Sequence, residues 1–263
     1  SSRKPVNKIL LTALLAASFS ASAAQVLVGK SDDTLTASVS RTEPTLLALA
    51  DRLEAGSAPG AFGFDPAQAM APLPRAHQFV DASAFLNHGN IMERAFNLVV
   101  RRPEGVPILV QRQADDFMGA CDDFPFPSEA DNCDYEGEFG VIVDDIPMGS
   151  TPQRCEQGIR LLLLLNDVSM RRFVVPELQM GFGFINAKPA TVFAPVAVTP
   201  DELGPAWRNG RIHLDMNVSR NGKLIGHPNG AEMDWGFGEL LAHLGTTVIA
   251  ATHADLAHLV LEQ

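Results

Sequence analysis

The chain has 263 residues, 46% hydrophobic and 19% charged, which is enough apolar material for a sizeable core and excludes a disordered polyampholyte. Its formal net charge of −11 and the lack of any basic patch with interleaved aromatics exclude a nucleic-acid partner, since backbone binding draws on clustered Lys and Arg. A small-molecule substrate or a divalent cation suits this balance. Three cysteines, Cys121, Cys133 and Cys155, show no CxxC and no zinc-like spacing, so a disulfide scaffold is not expected, although a single bridge stays open.

Residues 1–24 combine Arg3, Lys4 and Lys8 with an apolar run over 9–17 and the small residues Ala21, Ser22 and Ala23, the pattern of a secretory signal; an uncleaved helix is the alternative. The apolar run is too short to span a bilayer, and Leu161 to Leu165 is shorter still. QVLVGKSDDTLTASVSR then reads as a short strand or hairpin, and PTLLALADRLEAG as a helix closed by Gly56. SAPGAFGFDPAQAMAPLPRA is a Gly-, Ala- and Pro-rich linker. The expected division is a signal-like leader over 1–24, a small N-terminal segment over 25–60 and a main domain over 61–263.

Within the main domain the signals are mostly short: FPFPSE, EFGVIV, GIRLLLLLND and ATVFAPVAV, separated by Gly, Pro, Asn and Asp clusters. RIHLDMNVSRNGKLIG is a hairpin turning at Asn221 and Gly222. Helices are expected from Asn87 to Val100, from Thr151 with Pro152 in the first helical position, and from Gly238 to Leu244. With no internal repeat and no βαβ series, the expected fold is α+β, β-rich, with mixed sheets and few helices.

One stretch, DYEGEFGVIVDD from Asp134 to Asp145, is chemically unusual. On a strand, Tyr135, Phe139, Val141 and Val143 share one face while Glu136 and Glu138 share the other. Two carboxylates so close raise each other's pKa or recruit a cation. A solvated outer face is the plain alternative. No GxSxG, GxGxxG, P-loop or HExxH is present, which removes the support for serine-hydrolase, dinucleotide and zinc-protease chemistry.

Asp81 precedes His88 by seven residues, Glu136 and Glu138 follow, Asp167 ends LLLLLND, and Lys188 opens KPATVFAPVAVTPDELG. In order and surroundings these residues resemble the fumarylacetoacetate hydrolase family from about Asp65 to about Thr252. The resemblance implies a β-roll of mixed sheets and a divalent cation held by Glu136, Glu138 and Asp167, with Asp81 as a further ligand. Three carboxylates supply hard oxygens, which suit Mg²⁺, Mn²⁺ or Ca²⁺. It also implies His88 as general base, Lys188 as the fixed charge that stabilises a carbanion or enolate, and a dicarbonyl or 2-oxo acid substrate. Arg171, four after Asp167, is the candidate for the substrate carboxylate, because its planar fork matches one bidentately. A homodimer and a cytoplasmic location are implied too; periplasm or secretion is what the leader favours.

Two departures from the family stand out. Relatives place a glutamate just after the histidine to orient it; here the first is Glu93, which the resemblance makes the candidate catalytic partner of His88 although it lies about 140° around a helix from it. A glycine-rich, substrate-binding C-terminal loop is replaced by TTVIAATHADLAHLVLEQ, with Thr252 at the position of the loop's threonine and so the candidate for substrate binding, and Glu262 the sole later glutamate, so the domain reads as shortened. The remaining histidines, His77, His213, His227, His243, His253 and His258, read as structural or surface residues. The acidic pairs Asp115–Asp116, Asp122–Asp123 and Asp144–Asp145 read as solvated loops. The expected activity is metal-dependent cleavage of a carbon–carbon bond in an acylpyruvate or fumarylacetoacetate-like acid. A decarboxylase or isomerase of 2-oxo acids, or a metal-binding pseudoenzyme, is the alternative.

Overall fold

The computed structural model describes residues 9–13, 25–29, 48, 50–97, 104–246 and 259–262. Thr252, His253 and His258 lie outside them. The strands are β1 (Ile9–Ala13), β2 (Gln25–Gly29), β3 (Gln78–Ser83), β4 (Ile108–Arg112), β5 (Cys133–Asp134), β6 (Gly137–Val143), β7 (Ile159–Asp167), β8 (Ser169–Met170), β9 (Thr191–Val198), β10 (Trp207–Arg208), β11 (Arg211–Ile212), β12 (Val218–Arg220), β13 (Lys223–Gly226) and β14 (Leu259–Glu262). The helices used below are α1 (Leu86–Phe96), α2 (Pro152–Glu156), α3 (Arg171–Met180) and α4 (Phe237–Leu244). Within the leader, β1 is extended rather than helical and pairs antiparallel with β2. Among the described residues no helix is long and apolar enough to cross a membrane.

The main sheet has six strands in the order β4-β3-β14-β6-β7-β9, and it is mixed because β14 runs parallel to β3 and antiparallel to β6. Both faces are covered, so the apolar runs of β6 and β7 are nearly continuous. Phe139, Val141, Val143 and Leu162 pack on one face against α4 residues Phe237, Leu240 and Leu241. Ile142, Leu161, Leu163 and Leu165 pack on the other face, with Phe79, Phe117 and Phe193. That second face is concave. The sheet curls until its two outer strands meet, Arg112 Nη2 of β4 lying 3.5 Å from Thr191 Oγ1 of β9, and Met118 just after β4 bridges to Val192. Three rings fill the resulting roll, with Phe117 4.6 Å from Phe193 and 5.0 Å from Phe79 between centroids.

Local chemistry accounts for most element ends. Pro152 opens α2 after a Thr151 cap whose hydroxyl accepts the Arg154 N–H. Asn221 and Gly222 both take positive φ, 51° and 75°, as a two-residue hairpin turn of the right twist requires. Helix α1 stops at Phe96, four residues short of the expected Val100, because Asn97 adopts a left-handed conformation and its N–H bonds back to Glu93.

Three expectations are corrected. FPFPSE forms no strand, since Pro125 and Pro127 cannot donate to a ladder. The first half of RIHLDMNVSRNGKLIG leaves the hairpin, with Arg211 and Ile212 pairing to Trp207 and Arg208 instead. Helix α3 was not expected; it carries Pro176 inside, which forfeits one backbone bond, and buries Val174 and Glu177.

Candidate metal centre

The antiparallel register of β6 and β7 assembles the acidic residues. Gly137 pairs with Asn166 and Glu138 with Leu165, so the next step outward sets Glu136 opposite Asp167. The Asp167 N–H donates to the Glu136 carbonyl at 2.8 Å, and the Asn166 side chain accepts the Glu136 N–H at 3.1 Å. Opposed residues share a face, as do residues two apart, so all three carboxylates project to the concave side. One oxygen from each of Glu136, Glu138 and Asp167 lies within 4.8 Å of the others. Gly137 separates the glutamates because the opposite face is full: a Cβ there would come within 2.8 Å of Val218 Cγ2.

The solvated-face alternative is overturned by burial, with Glu138 only 7% exposed and the Glu136 side chain 12%. Buried carboxylates demand countercharges, and three cations supply them. Lys188 Nζ donates to Glu136 Oε2 at 2.7 Å and to Asp167 Oδ2. Arg171 donates through Nε to Asp134 Oδ2 at 2.7 Å and through Nη1 to Glu136 Oε1 at 2.6 Å. Arg112 Nη2 lies 2.6 Å from Asp167 Oδ1 and its Nη1 3.7 Å from Asp81 Oδ2. Five carboxylates thus face three fixed cations, which leaves two negative charges when all are ionised. One divalent cation cancels that excess, and three convergent carboxylate oxygens are its preferred donors. The residues fit such an ion.

The same charges set the protonation states. Burial works to raise Glu136, but Lys188 and Arg171 outweigh it and hold the carboxyl at about 2. Burial and the neighbouring Asp167 push Asp81 up to about 7 against the pull of Lys188 and Arg112. Burial would lower Lys188, yet Asp167, Glu136, Asp81 and Glu138 together raise it, so it stays charged. His88, half-buried, is lowered below its ordinary value mainly by burial, with Lys188 and Arg171 adding to the effect and Glu136 opposing it.

His88 reaches this cluster from α1. Met92, one turn on, places its Sδ 3.8 Å from Arg171 Nη1, so the helix lies with that face over the acidic residues. Lys188 arrives from the loop after α3, which is drawn down onto one buried carboxylate: Glu177 accepts the N–H groups of Ile185, Asn186 and Ala187 at 2.9, 2.9 and 3.1 Å.

Of the residues singled out from sequence, His88, Glu136, Glu138, Asp167, Lys188 and Arg171 come together. Asp81 lies on the same concave face but outside the three-carboxylate group. Glu93 is exposed, and the structure does not bring it to His88. Arg171 is already engaged by Asp134 and Glu136. No histidine joins the acidic group among the described residues. Of the acidic pairs, Asp144 is bound to Arg160 at 3.1 Å and Asp122 accepts the Gly119 N–H at 2.8 Å. Sequence reasoning missed Arg112, Asp134 and Glu177. For Arg112 the available signal was a charge ending the apolar run ILVQR.

Known proteins are similar to this chain in sequence and in fold. The chain is 25% identical over 141 residues to 2,4-didehydro-3-deoxy-L-rhamnonate hydrolase of Sphingomonas sp. (strain SKA58), over 52% of this chain; it spans only about half of that curated relative, 47% of its length. The fold is similar to fumarylpyruvate hydrolase from Pseudomonas aeruginosa, a structure in complex with Mn²⁺ and pyruvate, with a TM-score of 0.54 at 12% identity, covering 71% of this chain and 76% of that one. It is also similar to 5-carboxymethyl-2-hydroxymuconate delta-isomerase from Mycobacterium smegmatis, with a TM-score of 0.55 at 16% identity, covering 74% and 69%. The family model described as fumarylacetoacetate (FAA) hydrolase C-terminal matches residues 78–253, which span five of the six strands of the main sheet, the acidic group, His88 and Lys188, and the chain therefore belongs to the fumarylacetoacetate hydrolase family.

Proposed function

We propose that the protein is a divalent-metal-dependent hydrolase that cleaves a carbon–carbon bond in an acylpyruvate or related 1,3-dicarbonyl acid. The observation that carries this reading is the convergence of Glu136, Glu138 and Asp167 beside a charged Lys188 and a neutral His88. Glu136, Glu138 and Asp167 would hold Mg²⁺, Mn²⁺ or Ca²⁺. Such an ion, when bound, supplies Lewis acidity to the dicarbonyl oxygens.

The chain's own residues supply the rest. His88, kept neutral by burial, accepts a proton from water as the new carbon–oxygen bond forms at the distal carbonyl. The carbon–carbon bond then breaks, its electron pair passing to the pyruvate side as an enolate, and His88 returns its proton to that carbon. Lys188 places a permanent positive charge beside the developing enolate. Arg171, whose Nε and Nη1 are engaged, offers its Nη2 to the substrate carboxylate. The homodimer implied by the resemblance is part of this reading, with the exposed Phe182 and Ile185 as apolar surface for it to bury.

A second reading, a protein that keeps the cation without turnover, is favoured by one observation: Glu93 is exposed and does not orient His88. Acetylpyruvate separates the two. Loss of its enol absorbance with Mn²⁺ or Mg²⁺, abolished by chelator, supports the hydrolase; an unchanged absorbance in protein that binds Mn²⁺ supports the second reading.

A further inference from the structure

Arg112 is the most deeply buried cation of the cluster, its side chain 2% exposed, and neither its sequence nor the hydrolytic mechanism gives it a task. It lies opposite Phe79 in the β3–β4 register and so shares the concave face with Phe79 and Asp81. Its guanidinium carbon sits 5.6 Å from the centroid of the Phe79 ring, a cation–π contact. From there Nη2 crosses the mouth of the curled sheet to Asp167 Oδ1 at 2.6 Å, while Nη1 stays 3.7 Å from Asp81 Oδ2.

The two oxygens of Asp167 are thereby divided. Oδ1 is ion-paired with Arg112 without hydrogen-bond geometry, and Oδ2 converges with Glu136 Oε2 on the Lys188 ammonium. A carboxylate held by one oxygen presents the other in a defined direction, and Arg does this better than Lys because its charge is permanent and its fork planar. Partners that orient metal-ligating carboxylates behave in this way.

We propose that Arg112 is a positioning residue of the metal centre: it holds Asp167 in its ligating orientation, and Asp81 serves as the counter-ion of Arg112 rather than as a ligand. This rests on the metal-centre reading above. Burying a guanidinium is costly without close anionic partners, and Asp81 and Asp167, on strands separated by both β14 and β6, are two such partners. The arrangement also closes the sheet at its charged end, where strands β4 and β9 meet.

The test is Mn²⁺ affinity by calorimetry, with the Mn²⁺ electron paramagnetic resonance spectrum as a second readout. Arg112→Lys keeps the charge and loses the fork; it is expected to weaken Mn²⁺ about tenfold and to change the spectrum. In an Asp167→Asn background the same substitution is expected to cost no more than about twofold further, since its effect passes through Asp167. Asp81→Asn, close in shape, is expected to cost about threefold from the loss of a nearby charge, against more than about tenfold for Glu138→Gln. It decides the matter even if Arg112→Lys does not fold. Parental affinity in Arg112→Lys, or an Asp81→Asn loss equal to that of Glu138→Gln, overturns the proposal while leaving the metal centre intact. Absence of Mn²⁺ binding by the parent overturns both.

Discussion

Lys188 places its ammonium nitrogen 2.7 Å from Glu136 Oε2 while also donating to Asp167, so two residues of the acidic group share one buried cation. Removing it leaves carboxylates buried without their compensation. Lys188→Met is therefore expected to destabilise the metal-free protein by about 3 kcal/mol, the usual cost of breaking a buried ion pair from one side. Saturating Mn²⁺ should return most of that loss, because the ion supplies the missing charge. Urea unfolding in chelator and in Mn²⁺ measures both quantities; equal deficits in the two conditions would separate Lys188 from the metal centre.

Glu177 ties three consecutive backbone N–H groups of the loop that delivers Lys188. Burial would raise its pKa, but the bonds from Ile185, Asn186 and Ala187 outweigh burial and lower it. A carboxylate depressed in the folded state stabilises the protein above its unfolded value. That stability is lost as pH falls below the ordinary glutamate value and through the depressed folded one. Glu177→Gln is expected to cost about 2 kcal/mol at pH 7 and progressively less relative to the parent on acidification. Unfolding curves at neutral and acid pH provide the check, and a deficit independent of pH would contradict this account.

His88 is lowered from 6.5, chiefly by burial, and acts in its neutral form. The acid limb of kcat/KM should then fall below pH 6.5 and disappear in His88→Ala, which should lose roughly a hundredfold or more in turnover. Mn²⁺ affinity should stay near parental. A variant that turns over acetylpyruvate as fast as the parent would remove His88 from the mechanism.

The parts of the molecule that sequence made legible are those governed by short-range rules. Asn221-Gly222 demands a turn with two positive φ values, Pro152 after Thr151 opens a helix, and the two-residue spacing of Glu136 and Glu138 puts both on one face whatever the rest of the chain does. Asp167 became legible only through resemblance, since its place opposite Glu136 depends on the register of β6 and β7. Arg112 was legible only as a charge ending an apolar run, with nothing to name its partner. It touches Asp167 because the sheet curls until β4 and β9 meet, and curl is a property of the assembled strands. Helix α3 was hidden by Pro176, which local propensity counts as a breaker, although buried Val174 and Glu177 anchor the helix from one side. Glu93 shows the converse: taken from sequence as a catalytic partner of His88, it is left exposed on the helix, as a position five residues on allows.

The central claim is that Glu136, Glu138 and Asp167 form a divalent-metal centre, and crystals grown with saturating Mn²⁺ test it most directly through anomalous diffraction at the manganese edge. The account predicts one strong peak coordinated by those three carboxylates, with the Lys188 ammonium moved from between Glu136 and Asp167. No peak there, with Lys188 still bridging the two carboxylates, would contradict it.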